Sequence, residues 1–313
     1  MTSQQDLPIL DDLQAILRIL ASITGQNEST VALNLLSEHR EVGSSVRRAM
    51  DEWGLAYYQW SERLNEFYSS TDAFLFETVI WNRSPLKQAM RTWILQSIQN
   101  RFERPIRILS FGDGLGLDSL AFTQAGHDVD FFEVSQKSRR FAKELFVESG
   151  ANVRILEDAH DIEKERYDAI LILDVLEHIR DPERCVTQVT QSLRPGGFLY
   201  THSPFWLLRP AVSTHLEENR KYSGDLRRLF TANGLHPTNA RLLWNPIELQ
   251  KSDYHRIFQR PLIASLRIWL GGYLLWWGRH WNTPHIAAVN YLFSQKQQGW
   301  KELEAFCNRA KKC

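Results

Sequence analysis

Three closely spaced glycines, one acid downstream of them and three histidines are the residues whose types and spacing can do chemistry here. The glycines stand in the turn Gly112-Asp113-Gly114-Leu115-Gly116, directly after the short apolar run Ile106–Phe111. Glycine lets a ligand approach the backbone, and the start of the helix that follows offers unpaired N–H groups. Glu133 closes the next apolar run, Val129–Phe132. An acid in that place can accept hydrogen bonds from both hydroxyls of a ribose. The stretch Ile106–Glu133 therefore reads as a nucleoside site. His178, His202 and His215 fall after the later apolar runs or between them. Imidazole titrates near neutral pH, which suits proton transfer. Each of the three reads equally well as a hydrogen-bonding group that shapes a pocket.

The elements that must position these residues follow from periodicity. Leu117, Leu120, Ala121 and Ala125 recur at helical spacing until Gly126. Ser135–Ser149 reads as a second helix, Val153–Leu156 as a third strand and Tyr167–Leu173 as a fourth, nearly all apolar and so buried on both faces. Asp181-Pro182 starts another helix, and Arg194-Pro195-Gly196-Gly197 turns into the strand Phe198–Thr201. A helix over 222–233 and strands at Pro237–Trp244 and Ile286–Phe293 complete the pattern. Strands alternating with helices predict an α/β fold with a doubly wound, mostly parallel sheet and ligands at the strand C-terminal ends. About forty residues separate the last two strands, too many for a loop, so 245–285 reads as an insertion.

The first hundred residues read as helical. Leu10, Leu13, Leu17 and Leu20 mark one helix ended by Gly25, and Trp53, Tyr57, Trp60, Leu64 and Phe67 mark a second. Ser84-Pro85 opens a third. The aromatic stripe reads as core packing, or as a lid whose Tyr57, Tyr58 and Trp81 face a substrate. The expected organisation is a helical region 1–104, a nucleoside-binding domain 105–295 and a helical tail 296–313.

The 313 residues carry equal numbers of basic and acidic side chains, 37 each, which leaves no electrostatic footprint favouring nucleic acid. The three cysteines, Cys185, Cys307 and Cys313, lack metal-ligand or disulfide-framework spacing, so a reducing compartment is expected. Asp6, Asp11 and Asp12 near the start, without a basic stretch before an apolar run, predict no signal peptide. The expected location is cytoplasmic, with peripheral membrane contact through 256–282 as an open alternative. That alternative rests on Leu262–Gly278, which is shorter than the roughly 20 apolar residues of a membrane span and contains Arg267. The run reads as a buried helix or as an amphipathic one touching a membrane or lipid.

With these residues in view, the chain resembles the class I S-adenosylmethionine-dependent methyltransferases over roughly 105–295. The resemblance rests on the glycine turn, Glu133, Asp158-Ala159 after the third strand, the segment Asp174-Val175-Leu176-Glu177-His178-Ile179 after the fourth, and Leu193-Arg194-Pro195-Gly196-Gly197 before the fifth. It implies a seven-stranded Rossmann-like sheet with the last strand antiparallel. The third glycine of a dinucleotide fingerprint would fall at Leu117 or Ser119, which fits poorly.

The resemblance further implies that S-adenosylmethionine is held by Ser110, Gly112, Asp113, Gly114, Gly116, Glu133, Val134, Asp158, Ala159, Asp174 and Val175. Ser110 departs from the family, which usually has an acid there to hold the cofactor's amino group. Asp113 is the expected substitute. The sulfonium carries an already activated methyl group, so the resemblance implies direct in-line transfer with no metal ligands assigned. The acceptor is expected to be a small or lipid-like molecule, with His178, His202 and His215 as candidates for proton transfer or substrate contact. A catalytically inactive binding or scaffold protein of the same fold is the alternative.

Overall fold

The computed structural model describes residues 7–253, 261–280 and 300–310. Its centre is a seven-stranded sheet in the order β3-β2-β1-β4-β5-β7-β6. The strands are β1 (Arg107–Phe111), β2 (Asp128–Phe132), β3 (Arg154–Leu156), β4 (Tyr167–Leu173), β5 (Leu193–His202), β6 (Leu235–Ala240) and β7 (Ile247–Lys251). β1 pairs in parallel with β2 and β4, and β7 runs antiparallel to both β5 and β6. This is the doubly wound, Rossmann-like arrangement with its last strand reversed. The order turns around between β1 and β4, which is where such sheets open a crevice for a ligand.

Alternation along the strands divides the core. Ile108 of β1 and Ala169, Leu171 and Leu173 of β4 enter one apolar cluster, while Leu109 and Ile170 and Ile172 enter another on the opposite face. The first face is covered by α1 (Leu13–Thr24), α2 (Glu28–Arg40), α5 (Ala73–Arg83), α6 (Pro85–Arg101), α7 (Leu117–Gln124) and α8 (Gln136–Glu148). The second is covered by α9 (Pro182–Ser192) and α11 (Leu262–Gly278). Caps set the boundaries. Ser84 accepts from the Lys87 N–H at the start of α6, Ser135 from Ser138 in α8 and Asp181 from Arg184 in α9. Gly25 ends α1 in the left-handed region at φ 70°.

Several expectations need correction. The stripe from Trp53 to Phe67 is not one helix. α3 (Ser44–Glu52) and α4 (Glu62–Ser70) are separated by an irregular connection in which Gly54 and Tyr58 both have φ 63°. Residues 222–233 hold only the short α10 (Leu226–Leu229) between 3-10 turns. Gly224 explains part of this, because a Cβ there would lie 2.3 Å from the Gly272 carbonyl of α11. The seventh strand is Ile247–Lys251, so α11 follows the sheet's last strand instead of preceding it. The expected strand at Ile286–Phe293 lies outside the described residues. A last helix, α12 (Lys301–Ala310), packs on α2. Among the described residues no helix is long and apolar enough to cross a membrane.

Candidate active site

The glycine turn leaves the C-terminal end of β1 and enters α7. Gly112, Gly114 and Gly116 all have positive φ, at 71°, 61° and 77°. A Cβ on Gly112 would meet the Val175 side chain at 2.7 Å, and one on Gly116 would meet the Phe146 ring at 2.6 Å. Both positions thus need glycine for two reasons, conformation and space. Glu133 follows β2 and folds back over the turn. Its Oε2 accepts from the Gly114 N–H at 2.9 Å and its Oε1 from the Ser135 N–H at 2.8 Å. Burial raises its pKa, and these N–H bonds oppose that shift.

The other residues expected at this end are placed as follows. Ser110 is buried within β1. Asp113 turns inward and caps α7, accepting from the Asp118 and Ser119 N–H groups at 3.1 and 2.7 Å and from the Ser119 hydroxyl at 2.6 Å. Its carboxyl is raised to about 7 by burial and by the neighbouring Asp118. The carboxylate expected to substitute for an acid at Ser110 is therefore already satisfied by its own helix. Val134 is exposed. Asp158 and Ala159 are exposed beyond β3, where the Asp158 carboxylate accepts from the His160 N–H at 2.8 Å.

Asp174, at the end of β4, is the hub of a charged network. It sits at φ 61°. Its Oδ1 accepts from His202 Nδ1 at 2.6 Å, and its Oδ2 from Trp81 Nε1 at 2.9 Å and Lys87 Nζ at 3.3 Å. Burial alone would raise its pKa, but His202, Lys87 and these hydrogen bonds win and hold it well below the usual carboxylate range. Lys87 also pairs with Asp118 at 2.9 Å, and Arg91 joins Asp118 at 2.9 Å. Two helices of the N-terminal region thus supply one wall of the site. Of the expected lid residues, only Trp81 reaches it. The Tyr57 hydroxyl donates to Asp51, and the Tyr58 backbone pairs with Ser213 and Glu217.

The Asp174 contact fixes the state of His202. A carboxylate only accepts, so Nδ1 carries a proton and donates it to Asp174. An apolar cavity opens beside His202, lined by Phe205, Trp206, Tyr222, Trp244 and Leu275. His178 and His215 form a second group with Glu177. The Nδ1 of His178 contacts the Thr214 carbonyl at 3.2 Å and the Tyr68 hydroxyl at 3.0 Å, and the Nδ1 of His215 contacts the Leu207 carbonyl at 2.8 Å. Burial pushes His178 down to about 4 and His215 well below its ordinary value. Both are neutral at pH 7. Glu177, buried next to Asp174, is pushed well up. Among the described residues these three side chains bring one ligand atom each within 4.8 Å of the others, a set able to hold a metal ion.

Sequence reasoning missed Lys87, Arg91, Asp118, Tyr68 and Glu177 as members of the site. One signal was readable for the two cations. Lys87 lies in the first turn of α6, where the helix dipole disfavours positive charge, and Arg91 follows one turn later on the same face. Placing two there calls for acids nearby. Nothing in the sequence says that those acids are Asp118 and Asp174.

The geometry can now be set beside known proteins. The sequence model of the methyltransferase-domain family matches residues 83–242, slightly more than half of the chain. A ubiquinone biosynthesis O-methyltransferase of Bordetella avium is 30% identical over 121 residues, covering 37% of this chain and 48% of the relative. The protein of the same name from Sinorhizobium fredii is 25% identical over 183 residues, 50% of this chain and 74% of the relative. The chain spans about half the length of most curated relatives it matches. Among solved structures, a Burkholderia thailandensis 1,6-didemethyltoxoflavin-N1-methyltransferase matches with a TM-score of 0.41 and 18% identity, covering 56% of this chain and 81% of that one. The matched segment runs from the end of α5 through β6 and so takes in the glycine turn, Glu133 and Asp174. The chain belongs to the methyltransferase-domain family.

Proposed function

We propose that the chain transfers a methyl group from S-adenosylmethionine to a hydroxyl of a small, lipid-like acceptor. The observation that carries this reading is the pairing of Glu133 with the Gly114 N–H across the glycine turn. It fixes a carboxylate at the end of β2, and a carboxylate has about four acceptor sites, so these bonds leave capacity for two ribose hydroxyls. The turn suits the cofactor because Gly112, Gly114 and Gly116 hold it in a positive-φ conformation with its backbone packed close on Val175 and Phe146. Asp158 and Ala159, exposed beyond β3, would hold the adenine side, and Val175 packs against Gly112. When bound, the cofactor supplies a methyl group already activated on a sulfonium.

The chain's own residues then have two tasks. The first is to hold the acceptor in line with the methyl group, and such positioning can supply roughly 7–11 kcal/mol of the barrier. The apolar side chains beside His202, among them Phe205, Trp206 and Tyr222, suit contact with an apolar portion of the acceptor, although the cavity they enclose holds only about 30 Å³. The second task is to take the acceptor's proton. His202 fits it best, since Asp174 accepts from Nδ1 and Nε2 is then the nitrogen that would receive a hydroxyl proton. His178 and His215, neutral and weakly basic, shape the pocket. The relatives named above as O-methyltransferases agree with an oxygen acceptor.

The test uses methyl-labelled S-adenosylmethionine and hydroxylated aromatic acceptors bearing alkyl tails, with label counted in the organic extract. Label should appear with the wild type and fall by about 10²–10⁴-fold with His202→Gln. Full transfer by the variant would remove His202 from the reaction. A wild type that neither transfers label nor binds the demethylated cofactor would overturn the reading.

A further inference from the structure

Among the described residues, the outer face of α11 groups most of the exposed large hydrophobic side chains, and the methyl-transfer reading leaves it unused. Leu262 is 88% exposed, Trp269 66%, Ile263 60% and Leu266 57%, and Tyr273, Trp276 and Trp277 are each exposed by more than 40%. The four aromatic rings alone, each about half exposed, put on the order of 400 Å² of apolar surface into solvent. That approaches the largest patches of ordinary soluble proteins before any leucine or isoleucine is counted. α11 lies beyond the residues matched by the family model, so this face is an addition to the common domain.

The face is held rigidly. On its inner side Gly271 and Gly272 leave space for the Trp244 ring, where a Cβ would lie 2.6 and 2.7 Å from ring atoms. Trp244 Nε1 donates to the Ile268 carbonyl at 3.0 Å, and the Ser223 hydroxyl donates to the Leu275 carbonyl at 2.8 Å. The helix cannot roll its apolar side inward without breaking these bonds. Its outward side is therefore a fixed platform. Trp269 and Tyr273 stack at 5.9 Å, and Trp277 follows at 6.5 Å from Tyr273.

Charge says what covers this platform. From Pro261 to His280 there is no acidic residue, and the ionisable groups are Arg267, Tyr273, Arg279 and His280. The Arg279 guanidinium lies 4.9 Å from the Trp276 ring and also donates to the Lys221 backbone carbonyl at 3.4 Å. Exposed aliphatic residues, aromatic rings and cations without acids match the boundary of an anionic bilayer, where rings lie at headgroup depth and arginines meet phosphates. A protein surface would need no such exclusion of acids. At about 1.5 Å per residue, α11 is roughly 25 Å long, suited to lying in the interface and short for crossing it.

We infer that α11 docks the protein on anionic membrane surfaces, with Leu262, Ile263, Leu266 and Trp269 entering the headgroup–acyl boundary. The bilayer would then lie across α11 from the small cavity beside His202, which Leu275 on the inner side of the helix and Trp244 beneath it help to line.

The test is flotation of the full chain with vesicles of phosphatidylcholine and phosphatidylglycerol in equal parts. It reads membrane binding alone, so its outcome is separate from that of methyl transfer. The chain should float with these vesicles, less with pure phosphatidylcholine, and less again as salt is raised. The double variant Leu266→Glu, Trp269→Glu should lower the partition by about tenfold or more, while Trp269→Phe should retain it. Both sites are exposed, and an unchanged melting temperature checks that the variant folds. Equal flotation of wild type and double variant would overturn the inference, as would absence of flotation. A lipid-free dimer that the double variant dissociates would also overturn it, in favour of a second copy of the chain on this face.

Discussion

Replacing Asp174 by Asn isolates the function assigned to the Asp174–His202 pair. The change is nearly isosteric but asymmetric in its consequences. Oδ2 of Asp174 receives two donors, Trp81 Nε1 at 2.9 Å and Lys87 Nζ at 3.3 Å, while Oδ1 receives one, His202 Nδ1 at 2.6 Å. An Asn has one oxygen, and it satisfies more donors when that oxygen faces Trp81 and Lys87. Its NH2 then faces His202, takes the Nδ1 lone pair and moves the imidazole proton to Nε2. The base is lost although every ring stays in place. The turnover number should fall by about 10²–10⁴-fold, the usual contribution of a positioned base. Lys87 keeps Asp118 at 2.9 Å, so the stability cost should stay near the 3 kcal/mol of a lost charge-assisted bond and below that of a stranded buried charge. Binding of the demethylated cofactor should change little, because the carboxylate is already occupied by the chain's own donors. Steady-state kinetics with labelled cofactor, with calorimetry and thermal melts alongside, give all three quantities. A turnover number within about threefold of wild type would refute the reasoning.

Other consequences follow from the same geometry. His178 is lowered to about 4 in the folded state against an ordinary value near 6.5, so the unfolded chain binds more protons between those values. Stability from this group is therefore complete above about pH 6.5 and is lost as pH falls towards 4, by about 3 kcal/mol. Glu177, shifted upward, contributes with the opposite sign over part of that window, so the comparison is made between wild type and His178→Gln. Denaturant titrations should show a flatter acid limb in the variant; parallel limbs would contradict the shift. Gly112→Ala should weaken binding of the demethylated cofactor by at least about tenfold, because φ 71° and the Val175 contact force the turn to move. Calorimetry finding wild-type affinity would show that the turn is not part of the site.

Much of the sheet was legible in the sequence. Tyr167–Leu173 reads as a buried strand because nearly every residue is apolar, and Ser84, Ser135 and Asp181 mark helix starts by side chains that do cap. β7 was not legible. Ile247–Lys251 alternates apolar and polar residues as a half-exposed strand does, yet Glu248 is wholly buried. Its carboxylate is satisfied by Thr238 of the neighbouring β6 and by Ser97 and Arg101 of α6, the last two far away in sequence. The glycine turn and Glu133 were legible because their chemistry is local. Trp81 was legible only as one of three lid candidates, and Lys87 and Arg91 were not placed, since their role depends on α5 and α6 packing across the end of β4. Asp113 shows the converse. Its position between the glycines suggested a ligand, but the nearest unpaired N–H groups belong to its own helix, and it caps them.

If the glycine turn and Glu133 form the cofactor site, calorimetric titration with S-adenosylhomocysteine reads it without any acceptor. Wild type should bind, and Glu133→Ala should bind about ten- to a hundredfold more weakly, the loss expected when hydrogen bonds to a fixed charged group of roughly 1.5–3 kcal/mol are removed. Equal affinity in the two proteins, or no heat from the wild type at millimolar ligand, would contradict the account.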